Sequence, residues 1–123
     1  MILDTSAWIE FFVKSDKGLK VKDALNRERC YTSIVTISEI SNWAMKQNVS
    51  HEELIDIVIQ TTHILPLNLS TARLAGELNY KRKKKIKDWG MLDSMILATA
   101  LAYDLKILTK DSHFKDLDNA EML

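Results

Sequence analysis

Short apolar runs of strand character alternate along this chain with segments of helical period. That alternation predicts an α/β fold, with helices packed about a central, mainly parallel sheet of four or five strands. Two further observations sharpen it. Four acidic residues, Asp4, Glu39, Asp93 and Asp111, stand where a strand-like run gives way to a helix or within a helix's first turns. Residues 93–103 (DSMILATALAY) are apolar or small at nearly every position, the mark of a helix buried on more than one side.

The elements follow in order. Residues 1–3 are a short buried strand, and Ser6-Ala7-Trp8-Ile9-Glu10-Phe11-Phe12 opens a helix or helical turn. A second helix over 20–27 turns Val21, Ala24 and Leu25 inward. Cys30-Tyr31-Thr32-Ser33 forms the second strand, leading into a helix over 37–46. Ser50-His51-Glu52-Glu53 is a capping-box pattern, and Leu54, Ile55, Val58 and Ile59 then recur at helical spacing. Residues 64–67 form a third strand, where Pro66 suits an edge or a strand end. Ser70 or Thr71 caps the next helix, whose Leu74, Ala75 and Leu78 face the core. After the apolar helix, residues 106–109 make a fourth strand and residues 120–123 a fifth. Strands separated by helices imply right-handed crossovers in a parallel sheet.

Composition excludes several classes. A chain of 123 residues that is 46% apolar buries an adequate core as one domain, here 1–123, without disulfides or a structural metal. Its one cysteine, Cys30, rules out an internal disulfide and a cysteine-rich zinc site. The longest apolar stretch, residues 95–103, is too short to span a bilayer, so the expected protein is cytoplasmic and has no membrane partner. Seventeen basic residues balance seventeen acidic ones, and any electrostatic steering must come from local patches.

Each acid has a purely local explanation. Asp4 caps a helix from Ser6; Thr36-Ile37-Ser38-Glu39 is a capping box; Asp93 is an N-cap; Asp111 is a turn residue. Taken together, the four fall at the carboxyl edge of one sheet, where carboxylates distant in sequence converge. Unneutralised, they repel and raise one another's pKa. A divalent cation resolves that conflict.

The segments Leu3-Asp4-Thr5-Ser6-Ala7-Trp8-Ile9, Thr36-Ile37-Ser38-Glu39-Ile40, Leu92-Asp93-Ser94-Met95-Ile96-Leu97-Ala98-Thr99-Ala100 and Leu108-Thr109-Lys110-Asp111-Ser112-His113-Phe114 resemble PIN domains, most closely the VapC-type toxins of toxin–antitoxin pairs. The resemblance spans essentially the whole chain, with the motifs in family order. It implies a PIN-like α/β/α sandwich and an acidic quartet at Asp4, Glu39, Asp93 and Asp111, with supporting polar residues at Ser6 and Thr109. It also implies a Mg2+- or Mn2+-dependent endoribonuclease in which Asp4, Asp93 and Asp111 are metal ligands and Glu39 is a ligand or orients the attacking water. An RNA substrate, a cognate antitoxin and a homodimer are the implied partners. Two other readings stand beside it: a PIN nuclease of RNA processing or DNA cleavage, and a nonenzymatic binding module whose acids only cap helices.

The run Lys81-Arg82-Lys83-Lys84-Lys85-Ile86-Lys87 puts six basic residues in seven. It is either an RNA-phosphate contact or a solvated helix end favourable to the dipole. Trp89 is either a base-stacking platform or a packing residue. His51, His63 and His113 show no metal-ligand spacing, so all three are expected to be structural or solvent-exposed.

Overall fold

The computed structural model describes all 123 residues. Five strands, β1 (Ile2–Leu3), β2 (Tyr31–Ser33), β3 (His63–Leu65), β4 (Ile107–Thr109) and β5 (Ala120–Met122), alternate with six helices. These are α1 (Thr5–Phe12), α2 (Asp16–Arg27), α3 (Ile34–Gln47), α4 (His51–Thr61), α5 (Leu69–Lys83) and α6 (Met91–Ala102). The strand order is β3-β2-β1-β4-β5, and every pairing is parallel.

Strand period two splits the core. Leu3 and Leu108 join Ala7, Trp8, Val21, Ala24, Ile40 and Val58 on one face of the sheet. Their neighbours Ile2 and Ile107 join Trp89, Leu97, Ala100 and Phe114 on the other. Successive strand residues point to opposite faces, so a sheet covered on both sides reads as a continuous apolar run. The result is an α/β/α sandwich with α1 to α4 on one side and α5 and α6 on the other. Burying each such Leu or Ile contributes about 1.5–3 kcal/mol. No helix is long and apolar enough to cross a membrane.

Several element boundaries differ from the sequence expectation, each for a local reason. Helix α2 begins at Asp16, because Ser15 caps it by accepting the Gly18 N–H at 3.0 Å. A Cβ on Gly18 would lie 2.3 Å from the Glu10 carbonyl oxygen, so glycine is what lets α2 approach α1 this closely. Helix α3 begins at Ile34 behind Ser33, which leaves Thr36 inside the helix and removes the expected capping box. It ends at Asn48 in the left-handed region (φ 58°), a conformation asparagine tolerates. Asn68, rather than Ser70 or Thr71, caps α5 by accepting the Thr71 N–H at 2.9 Å. In α4, Val58 is buried but Ile59 is 54% exposed, so the inward stripe is narrower than its period suggests. Pro66 follows β3, an edge strand, as a residue lacking a ladder donor should.

Candidate active site

From β1 the sheet grows one way through β2 and β3 and the other way through β4 and β5. The order therefore reverses between β1 and β4, and crevices at such reversals open outside the carboxyl ends of the strands. Asp4 directly follows β1, and Asp111 stands two residues beyond β4. Their strands are locked in register by the Asp4 N–H bond to the Leu108 carbonyl at 3.0 Å.

Two hydroxyls tie these strand ends together. Asp4 Oδ2 accepts from Ser6 Oγ at 2.7 Å and from Thr109 Oγ1 at 2.8 Å. Each hydroxyl has a single proton, so the 3.1 Å approach of Ser6 Oγ to Thr109 Oγ1 adds no further donor. The same oxygens accept from the loop behind β4: Lys110 N–H to Ser6 Oγ at 3.0 Å and Asp111 N–H to Thr109 Oγ1 at 2.9 Å. Lys110 itself reaches across to pair with Glu10 at the end of α1. The supporting positions expected at Ser6 and Thr109 thus orient Asp4 and anchor the Asp111 loop.

Glu39 comes from α3 and Asp93 from α6. The Thr5 hydroxyl donates to Glu39 Oε1 at 2.6 Å and also approaches Thr36 Oγ1 at 3.2 Å. The glutamate therefore faces α1 rather than its own helix start. Gly90 is the N-cap of α6, and Asp93, three residues in, accepts the Gly90 N–H at 3.0 Å through Oδ2. Asp111 caps a 3₁₀ turn (Ser112–Phe114) by accepting the His113 N–H at 2.9 Å, and His113 Nδ1 lies 2.8 Å from the same Oδ1. Thr5 directly follows Asp4 and His113 lies two residues after Asp111, but only the Thr5 contact with Glu39 crosses the fold.

The acids perturb one another. Burial raises the Asp4 carboxyl above its usual range, its three hydrogen bonds work against that, and the charge of Asp111 adds to it. Burial also raises Glu39, reinforced by Asp4 and Asp93. Asp93 rises for the same first reason, reinforced by Asp4 and Asp111 and opposed by the Gly90 N–H and His113. Asp4 is only 4% exposed. Neither it nor Glu39 nor Asp93 has a Lys or Arg partner, since the chain's ion pairs lie elsewhere.

No three His, Cys, Asp or Glu side chains are gathered closely enough to enclose an ion. Asp93 and Asp111 each have an oxygen turned to a local partner. The donor set fits a hard divalent cation: oxygen-only, half or fully buried, and carrying unneutralised charge.

A family model described as the PIN domain matches residues 1–120. The chain belongs to the PIN-domain family. No curated protein sequence matches it. Among solved structures, this PIN domain is similar to a toxin–antitoxin complex from Klebsiella pneumoniae, with 22% identity, 98% of this chain and 95% of that chain covered, and a TM-score of 0.78. It is similar to FitAcB from Neisseria gonorrhoeae, with 25% identity, coverage of 99% and 96%, and a TM-score of 0.74. It is also similar to Mycobacterium tuberculosis VapC20, a sarcin–ricin loop cleaving toxin, with 12% identity, coverage of 96% and 95%, and a TM-score of 0.75. At such identities these likenesses speak to the fold.

The basic run of this PIN domain does not act as a unit. Lys81, Lys83, Lys84, Lys85 and Lys87 are exposed, but Arg82 is buried at 9% exposure. Its guanidinium forks onto Asp116 at 3.1 and 2.9 Å, donates to the His113 carbonyl at 2.8 Å and lies 4.1 Å from the Trp89 ring centroid. A side chain so engaged is not free to contact RNA. Arg82 clasps α5 to the turn that follows Asp111, which corrects its grouping with the lysines. Trp89 is fully buried, packs on Phe114 and donates to Ser94 Oγ at 2.6 Å. It is a packing residue, with no face open to a base.

Proposed function

We propose that this PIN domain is a Mg2+- or Mn2+-dependent endoribonuclease and the toxin of a VapBC-type toxin–antitoxin pair. The observation that supports the reading is that Asp4 and Asp111 stand at the β1/β4 switch point and their charges act on Glu39 and Asp93 from α3 and α6, with no Lys or Arg ion-paired to the three acids that burial perturbs. Asp4, Asp93 and Asp111 would hold the cation. When bound, such an ion neutralises the acids, sets positive charge against the phosphoryl oxygens and makes water more acidic.

The chain's own residues do the rest. Ser6 and Thr109 fix the rotamer of Asp4, and His113 fixes that of Asp111. Glu39, held by the Thr5 hydroxyl, orients water toward the scissile phosphorus and accepts its proton; a carboxylate raised by burial is a stronger base than a free one. The exposed lysines between 81 and 87 meet the RNA phosphates. The similar solved structures include toxin–antitoxin complexes, which supports a cognate antitoxin as partner. We extend the reading to a cytoplasmic homodimer in which residues 1–123 form one domain.

Purified wild type and Asp93→Asn are compared on total RNA and single-stranded DNA, with Mg2+ or Mn2+ and then with EDTA. Discrete RNA fragments that disappear with EDTA and with the substitution support the reading. Intact RNA under every condition, with no detectable Mn2+ binding, overturns it in favour of a binding module.

A further inference from the structure

Beside the acids runs an open groove of about 440 Å³ that none of the roles above uses. Thr5 and Glu39 line one end, so it is continuous with the acidic centre. Its remaining walls are Ser38, Asn42, Trp43 and Lys46 from α3, faced by Ile9 and Leu92. Resting on the ribonuclease reading, we propose that this groove is a subsite for one unpaired nucleobase of the RNA, next to the scissile phosphate.

Four features point to that occupant. The volume falls in the range of small-ligand sites. Trp43 is half-buried and packs in parallel with Phe12, ring centroids 6.4 Å apart and planes 21° apart. Phe12 thereby backs the indole on one side at the groove, as suits a stacking platform. Asn42, with both a donor and an acceptor, and Ser38 have no hydrogen-bond partner within the protein. They are free to meet the polar edge of a base. Lys46, in the last turn of α3, has no acidic partner and supplies a cation for a neighbouring phosphate at the end of the groove away from Glu39. Glu39 is the groove's only acid. An acidic centre flanked by an aromatic wall and a free lysine matches a strand that alternates base and phosphate.

The other two indoles provide an internal control, because Trp8 and Trp89 are 0% exposed. Only Trp43 is open to an added oligonucleotide. The experiment titrates Asp93→Asn protein with fluorescein-labelled oligo(A) and oligo(U) octamers, reading intrinsic indole emission and polarisation. Binding is expected to quench the emission saturably. Trp43→Ala is expected to weaken binding about 5- to 150-fold, the loss of one stacked base. Trp43→Phe keeps a ring and is expected to recover most of the affinity. Asn42→Ala, at an exposed position that folding does not depend on, is expected to narrow the difference between oligo(A) and oligo(U). In the active protein, Trp43→Ala should act mainly on KM.

Tight binding by Trp43→Ala, or binding without quenching, overturns the subsite while RNA cleavage by wild type leaves the ribonuclease reading standing. Oligonucleotide binding that survives Trp43→Ala, with capture of a co-expressed antitoxin lost instead, assigns the groove to a protein segment and also overturns it. If wild type neither binds the octamers nor cuts RNA, the ribonuclease reading falls and the subsite with it.

Discussion

Replacing Arg82 by Met keeps an apolar stem over Trp89 and removes the guanidinium. The structure sets the cost. The fork onto Asp116 counts for about 1 kcal/mol after screening, because that carboxylate is 48% exposed. The bond to the His113 carbonyl adds about 1 kcal/mol, and the cation–π contact of the guanidinium with Trp89 about 1 kcal/mol. Against these, Arg82 Nε is buried without a partner, and removing it returns about 1 kcal/mol. The net loss is about 2 kcal/mol, or about 8 °C in melting temperature for a chain of this length. Urea titration and thermal melts of wild type, Arg82→Met, Asp116→Asn and the double variant measure it. The double-mutant cycle should give a coupling near 1 kcal/mol. An Arg82→Met protein within about 0.5 kcal/mol of wild type, or a zero coupling, refutes the clasp and returns Arg82 to the solvent-facing basic run.

Three further outcomes follow from the same geometry. Asp4, Glu39 and Asp93 titrate higher in the folded chain than unfolded, so the folded state binds more protons in that interval and stability falls as pH rises from about 4 through the raised values. In EDTA, then, wild type should melt higher as pH is lowered through the raised values toward about 4, and Asp4→Asn should melt higher than wild type at neutral pH. Glu10 and Asp116 are held low by Lys110 and Arg82 respectively and act the other way, losing their contribution only as pH falls below about 4. Replacing Lys83, Lys85 and Lys87 one at a time by Ala should each reduce the slope of log binding constant against log salt by up to about 1 for every RNA phosphate left unneutralised, an effect that Arg82→Met should not reproduce. Gly18→Ala should cost about 1–3 kcal/mol in urea titrations, since its methyl would meet the Glu10 carbonyl; an unchanged midpoint would mean that α2 shifts freely against α1.

Periodicity made the strands and helices legible, because alternate residues such as Ile2 and Leu3, or Ile107 and Leu108, must serve two buried faces. The four acids were legible for a related reason: each closely follows a strand or sits in the first turns of a helix, positions that a parallel sheet brings to one edge. What escaped depends on contacts between distant residues. Thr5 meets Glu39 across 34 positions and Thr109 meets Asp4 across 105, and no local pattern encodes such distances. Arg82 looks like its lysine neighbours until Asp116 and Trp89 close over it. Helix starts differ from the sequence expectation at Thr36 and Ser70 because several residues able to cap lie close together there, and the caps are Ser33 and Asn68.

The most direct test of the acidic centre is an Mn2+ titration followed by electron paramagnetic resonance, in which protein-bound ion leaves the free-ion signal. A cation held by these acids should give saturable loss of that signal with wild type, a melting temperature that rises with Mn2+, and loss of both effects in Asp4→Asn and in Asp93→Asn. Equal signal loss in wild type and both variants, or none in any of them, would contradict it.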